Sequence, residues 1–109
     1  MNVEIVAAES AGDFSIARDL FNEYARELGV DLCFQNFASE LANLGTMYAA
    51  PAGRLLLAKG DEQIVGCVGV RRSSASECEM KRLYVRAPAR GLGVGRRLAE
   101  ASIEAARGL

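Results

Sequence analysis

The stretch PARGLGVGRRLAE, residues 88–100, sets Gly91, Gly93 and Gly95 among Arg90, Arg96 and Arg97 where the pattern otherwise turns helical. Glycine costs about 1 kcal/mol against alanine inside a helix, and a cation in the first turn opposes the partial positive charge of the aligned peptide dipoles. An anion offsets both costs. Amides of a first helical turn have no internal acceptor, and glycine lets a bulky phosphate reach them without meeting a Cβ. The segment therefore reads as an anion cradle made of main chain. Two familiar phosphate loops are excluded. No Gly-x-x-x-x-Gly-Lys-Ser/Thr string occurs, and in a Gly-x-Gly-x-x-Gly fingerprint starting at Gly91 the third glycine position holds Arg96.

The chain has no histidine. Ser-His-Asp and Cys-His hydrolases are excluded, and acid-base work near neutral pH falls to a carboxylate, a tyrosine, a thiol or water. The three cysteines, Cys33, Cys67 and Cys78, are odd in number and lack Cys-x-x-Cys spacing, which argues against a disulfide framework and a zinc site and for a reducing cytoplasm. Net charge is -1, but residues 1–70 carry 4 basic and 10 acidic side chains while residues 71–109 carry 9 basic and 4 acidic ones. An anionic partner belongs with the C-terminal third. Arg71, Arg72 and Arg107 read as solvated surface, whereas Arg90, Arg96 and Arg97 sit beside the glycines.

These residues need elements to hold them. A chain of 109 residues, half of them hydrophobic, supports one domain around one core. NVEIVAA reads as a first strand. DFSIARDLFNEYAREL follows as an amphipathic helix stopped by Gly29, its Phe21 and Tyr24 assigned to packing. FQNFASELANL predicts a second helix closed by Gly45, and GTMYAAPAG a loop. RLLLAK and QIVGCVGVRR are strands separated by GDE. Gly66 and Gly69 inside the second mark either a bulge or close backbone approach, or small-residue packing against a helix. ECEMKRLYV is a further strand ended by Pro88, and GVGRRLAEASIEAAR is the last helix. The order β-α-α-β-β-β-α with short polar connections predicts an α+β fold, a mainly antiparallel sheet flanked by helices. The N-terminus has no basic region before an apolar run, and no stretch reaches the length of a membrane span, so no signal peptide or membrane partner is expected.

Arg90, Gly93 and Gly95 form Arg-x-x-Gly-x-Gly between a strand and a helix. In this setting the sequence resembles the GNAT superfamily of N-acetyltransferases, whose signature is (Gln/Arg)-x-x-Gly-x-(Gly/Ala). The resemblance extends through CEMKRLYVRAPARGLGVGRRLAEASIEAAR, and the element order fits the family's first strand through its third helix. The stretch Asp31-Leu32-Cys33-Phe34-Gln35 and YAAPAGRLLLA look like those of small bacterial acetyltransferases of loosely defined substrate.

The resemblance implies an acyltransferase with acetyl coenzyme A as co-substrate, no metal and an amine acceptor. It places the pyrophosphate on the amides of Gly91, Leu92, Gly93, Val94, Gly95 and Arg96. The pantetheine arm pairs with the backbone of Leu83, Tyr84 and Val85, and Arg90 or Arg96 adds charge-assisted contacts. Glu79 resembles the family's glutamate base, with Glu77 on the same strand face as competitor and a salt bridge to Lys81 or Arg82 as the alternative. Cys78 reads as an inert core thiol. The family continues past this helix with a strand, a helix often carrying a tyrosine acid and a final strand pair. Residues 1–109 are thus expected to be an N-terminal portion of the domain, with an exposed sheet edge able to form a homodimer. The other class consistent with these residues is a catalytically silent acyl coenzyme A-binding module. A nucleic-acid partner is not expected, since the positive charge sits in one glycine-rich loop with few aromatics.

Overall fold

Two strands buried on both faces form the centre of the sheet: β2 (Gly53–Gly60) and β3 (Gln63–Arg72). The computed structural model describes residues 2–29 and 37–109; the Asp31–Gln35 resemblance, with Cys33 and the first turn of the expected second helix, lies outside them. β1 (Val3–Ala7) and β4 (Cys78–Val85) complete an antiparallel sheet in the order β1-β2-β3-β4. Along β2, Leu55 and Leu57 face one layer and Leu56 and Ala58 the other, as period-two alternation requires. α1 (Ala11–Leu28) covers the first layer with Ala17, Leu20 and Phe21. α4 (Val94–Arg107) covers the second with Val94 and Leu98.

α1 begins two residues before the expected Asp13. Ser10 Oγ accepts from the Asp13 amide, and the Asp13 carboxylate accepts from the Ser10 amide, a capping box that starts the helix at Ala11. Gly29 ends it in the left-handed region at φ 66°, where a side chain would be strained. The expected second helix is two pieces, α2 (Phe37–Ala42) and a single turn α3 (Leu44–Met47). The break is at Asn43, whose side chain donates to the Ser39 carbonyl, and Gly45 lies inside the turn instead of closing a helix. β2 and β3 are joined by Asp61 and Glu62, both at positive φ, a two-residue hairpin turn that matches the strand twist.

Between β3 and β4 the register slips. Gly69 pairs with Lys81 and Cys67 with Tyr84, so Arg82 and Leu83 together oppose Val68. This is a β-bulge, and Arg82 adopts φ 60° within it. Gly69 lies beside the bulge, where an added Cβ would stand 2.5 Å from the ring of Tyr48. At Gly66 a Cβ would meet the Tyr84 carbonyl and Leu98. Close approach therefore accounts for both glycines, and at Gly66 it includes contact with the helix. No helix among the described residues is long and apolar enough to cross a membrane.

Candidate functional site

β4 leads into a 3-10 turn at Ala87–Ala89, where Pro88 sits in the first turn and the Arg90 amide closes on the Ala87 carbonyl. Gly91 and Gly93 then take φ 82° and 76°, which turn the chain sharply into α4. The first bond of the helix runs from the Arg97 amide to the Gly93 carbonyl. Ahead of it, the amides of residues 91–96 find no acceptor among the described residues. A Cβ at Gly91 or Gly93 would meet nothing within 4 Å, and one at Gly95 only Val85 Cγ2 at 3.7 Å. The glycine segment thus carries unpartnered amides at the positive end of a helix, with open space where a Cβ of Gly91 or Gly93 would stand.

The sheet edge beside this loop is also open. β4 pairs only with β3 among the described residues. The Arg86 amide donates to the Val65 carbonyl, and antiparallel alternation then turns the Val85 peptide groups away from β3, with those of Leu83 following. Tyr84 points its main chain into the sheet. Of the three residues expected to pair with a ligand through backbone, Leu83 and Val85 offer groups at the free edge and Tyr84 does not. Their side chains pack under α4, so core packing and an exposed main chain coexist.

A cavity of about 390 Å³ lies along this edge, lined by Tyr24, Glu27, Leu28, Leu83, Tyr84, Val85 and Arg90. Arg90 occupies it. Its Nε donates to the Val85 carbonyl at 2.7 Å, its Nη2 lies 2.7 Å from Glu27 Oε1, and the guanidinium stands 5.7 Å from the Tyr84 ring centre. The Tyr84 hydroxyl donates to Glu27 and lies 3.3 Å from Glu23 Oε1, a carboxylate that is also paired with Arg86 at 2.6 Å. Burial and the Glu27 bond push the Tyr84 hydroxyl up to about 12. Glu27 is held below its ordinary range by the Tyr84 bond and by Arg90, and Glu23 by Arg86. Glu23, Glu27 and Arg86 were not singled out from the sequence. The available signal was the four-residue spacing of the two glutamates, which puts both on one helix face opposite the basic third of the chain.

The remaining candidates are spread more widely. Arg96 pairs with Glu100 one turn along α4, its side chain 86% exposed. Arg97 donates to the Val3 carbonyl at 2.5 Å and so ties α4 to β1. Glu79 is exposed on β4, paired in register with Arg71, on the far side of the bulge from the glycine loop. Glu77 precedes the strand, and its carbonyl accepts the amides of Ser73 and Ser74 in the β3–β4 turn, so it does not share a strand face with Glu79. Arg82 is not a partner for Glu79, because it makes a buried bidentate pair with Glu40. Cys67 is buried and its thiol is pushed up to about 12 by that burial; Cys78 is half-buried.

Comparison with known proteins gives a consistent family. The acetyltransferase (GNAT) family matches residues 16–109. An uncharacterized N-acetyltransferase of Schizosaccharomyces pombe is 42% identical over 96 residues, covering 86% of this chain and 59% of that protein. The chain therefore spans little more than half of that curated relative. A GNAT-family acetyltransferase from Staphylococcus aureus superposes with a TM-score of 0.77 at 20% identity, covering 94% of this chain and 65% of its own. N-acetylglutamate synthase from Neisseria gonorrhoeae, solved with coenzyme A and N-acetyl-glutamate, superposes with a TM-score of 0.67 at 22% identity, covering 99% of this chain and 23% of its own.

Proposed function

The chain belongs to the acetyltransferase (GNAT) family, and from that premise we propose that it transfers an acetyl group from acetyl coenzyme A to a primary amine by direct attack. The observation that carries this reading is the continuity of two open hydrogen-bonding surfaces. The amides of residues 91–96 form an anion-seeking loop, and the free edge of β4 at Leu83 and Val85 leads into it. A pyrophosphate suits the first and an amide-bearing arm the second. The bound coenzyme A of the Neisseria gonorrhoeae synthase supports the choice of ligand.

The residues present fit that ligand. Gly91 and Gly93 leave open space where a Cβ would stand, and the cavity along β4 runs beside the edge. Arg90 would exchange its bonds to the Val85 carbonyl and Glu27 for a phosphate oxygen, freeing the carbonyl to accept from the arm. Acetyl coenzyme A supplies the acyl thioester. The chain's own task is to take a proton from the acceptor's ammonium so that the neutral amine can attack. Glu79 is the carboxylate we assign to take that proton, directly or through water, and its exposure leaves it accessible to an amine.

The test is coenzyme A binding by calorimetry to the wild-type chain, Gly95→Val and Arg97→Ala. Gly95 is not at positive φ and a Cβ there would meet only Val85 Cγ2 at 3.7 Å, an ordinary contact, so a branched side chain intrudes on the ligand's space without straining the backbone. Gly95→Val is expected to weaken binding about tenfold or more, and Arg97→Ala much less. Equal affinity of Gly95→Val and wild type would remove the cradle.

A further inference from the structure

On the face of the sheet opposite α4, three polar side chains are buried together and take no part in the reading above. Glu40 of α2 is 2% exposed and Arg82 of β4 is 6% exposed. Arg82 Nη2 donates to Glu40 Oε1 at 2.7 Å and Nε to Oε2 at 3.0 Å, while the Tyr48 hydroxyl donates to Oε2 at 2.8 Å. Burial raises the proton affinity of Glu40, but the Arg82 and Tyr48 bonds outweigh it and keep the carboxyl ionised at neutral pH. The guanidinium stands 5.3 Å from the Phe37 ring centre and 5.9 Å from that of Tyr24. Removing two charges from water is costly, and a pair of this kind is weak evidence for stability in itself. Its position suggests what it does achieve.

Arg82 is the bulged residue. It holds a left-handed backbone at φ 60°, a conformation that costs an arginine more than a glycine. The cluster grips the bulge from several sides. The Tyr48 ring fills the space left by the missing side chain of Gly69 on β3. Glu40 joins that tyrosine to Arg82, and the Cys67 thiol of β3 donates to the Arg82 carbonyl. Both strands are therefore clamped where the register slips.

The slip decides which main-chain groups reach the free edge. Without the extra residue, everything after it turns half a revolution about the strand axis. Leu83 and Val85 would then point their peptide groups at β3 and their side chains under α1, with Tyr84 reversed the other way. We infer that the buried Glu40–Arg82–Tyr48 cluster is a positioning device that holds β4 in its bulged register and so presents Leu83 and Val85 to the pantetheine arm. This rests on the coenzyme A reading. The three residues act through the backbone and touch no ligand.

The test compares coenzyme A with adenosine 3'-phosphate 5'-diphosphate, which has all three phosphates but no pantetheine arm. The double variant Glu40→Gln/Arg82→Gln leaves no charge buried alone and, unlike a glycine at the bulge, keeps the backbone cost that the cluster offsets. Calorimetry, well below the melting midpoint and with stoichiometry confirming that all the protein is folded, should give coenzyme A binding weakened about tenfold. Binding of the arm-less nucleotide should stay within about twofold of wild type. Tyr48→Phe, which keeps the ring against Gly69 and deletes only the hydroxyl, should give a smaller change of the same kind, about threefold for coenzyme A alone. It carries the test if the double variant does not fold. Equal losses for both ligands, or none for either, would overturn the positioning role while leaving the coenzyme A reading intact. A wild-type chain that binds neither ligand would overturn both.

Discussion

Arg82 and Arg90 stand on either side of the open main chain at Leu83 and Val85 and are held in different ways. Arg82 is buried and fixed by Glu40; Arg90 is half-exposed and bonded to groups at the mouth of the cavity. If the Val85 carbonyl serves the ligand, the free chain's Arg90 bond to it must be displaced, and Glu27 anchors the arginine in that competing position. Glu27→Gln should therefore raise coenzyme A affinity about two- to fivefold, the range expected for loosening an exposed ion pair. A fall in affinity, measured by calorimetry at constant ionic strength, would place Glu27 on the ligand's side of the contact. The glycine loop was legible in the sequence because glycine spacing and charge both point to one chemistry. The bulge was legible only as one alternative for Gly66 and Gly69; its extra residue was not, because a left-handed arginine leaves no mark in composition or alternation, and its partner Glu40 lies 42 residues away.

At the scale of elements, the strands, α1 and α4 were legible from periodicity, since each buries one face or both against the sheet. What periodicity missed is where local hydrogen bonding overrides it: the capping box that starts α1 at Ala11, and Asn43 splitting the second helix. The packing of α3 against the sheet rests on Gly69. A Cβ there would lie 2.5 Å from a Tyr48 ring that is 1% exposed and also bonded to Glu40, so the ring has no room to retreat. Gly69→Ala should cost about 1 to 3 kcal/mol, read as a lowered urea midpoint with an unchanged slope. Gly45→Ala, with no neighbour within 4 Å, should leave the midpoint near wild type. A Gly69→Ala midpoint equal to wild type would mean that Tyr48 does not press on the bulge.

For the molecule as a whole, the free edge of β4 and the exposed side chains of Met80, Leu92 and Ile103 leave the proposed site with one wall among the described residues. Unpaired edges invite association, and an open site orients an amine poorly, when orientation can supply ~7 to 11 kcal/mol of a barrier. A chain of residues 1–109 is expected to associate with rising concentration by sedimentation, and its monomer to acetylate amines near the background rate whether or not Glu79 is changed to Gln. Robust turnover by a verified monomer, abolished by Glu79→Gln, would contradict this and show the one wall to be sufficient.

Coenzyme A binding through main-chain groups of the loop and the β4 edge is tested most directly by following backbone amide resonances of the isotopically labelled chain during titration with coenzyme A. Every residue invoked carries an observable N–H, and Gly91, Gly93 and Gly95 fall in a separate region of the spectrum. The largest saturable shifts are expected at residues 91–96, followed by Leu83 and Val85, with the amides of α1 before Tyr24 little changed. Saturation without shifts in residues 91–96, or shifts concentrated elsewhere on the chain, would contradict the assignment of the site.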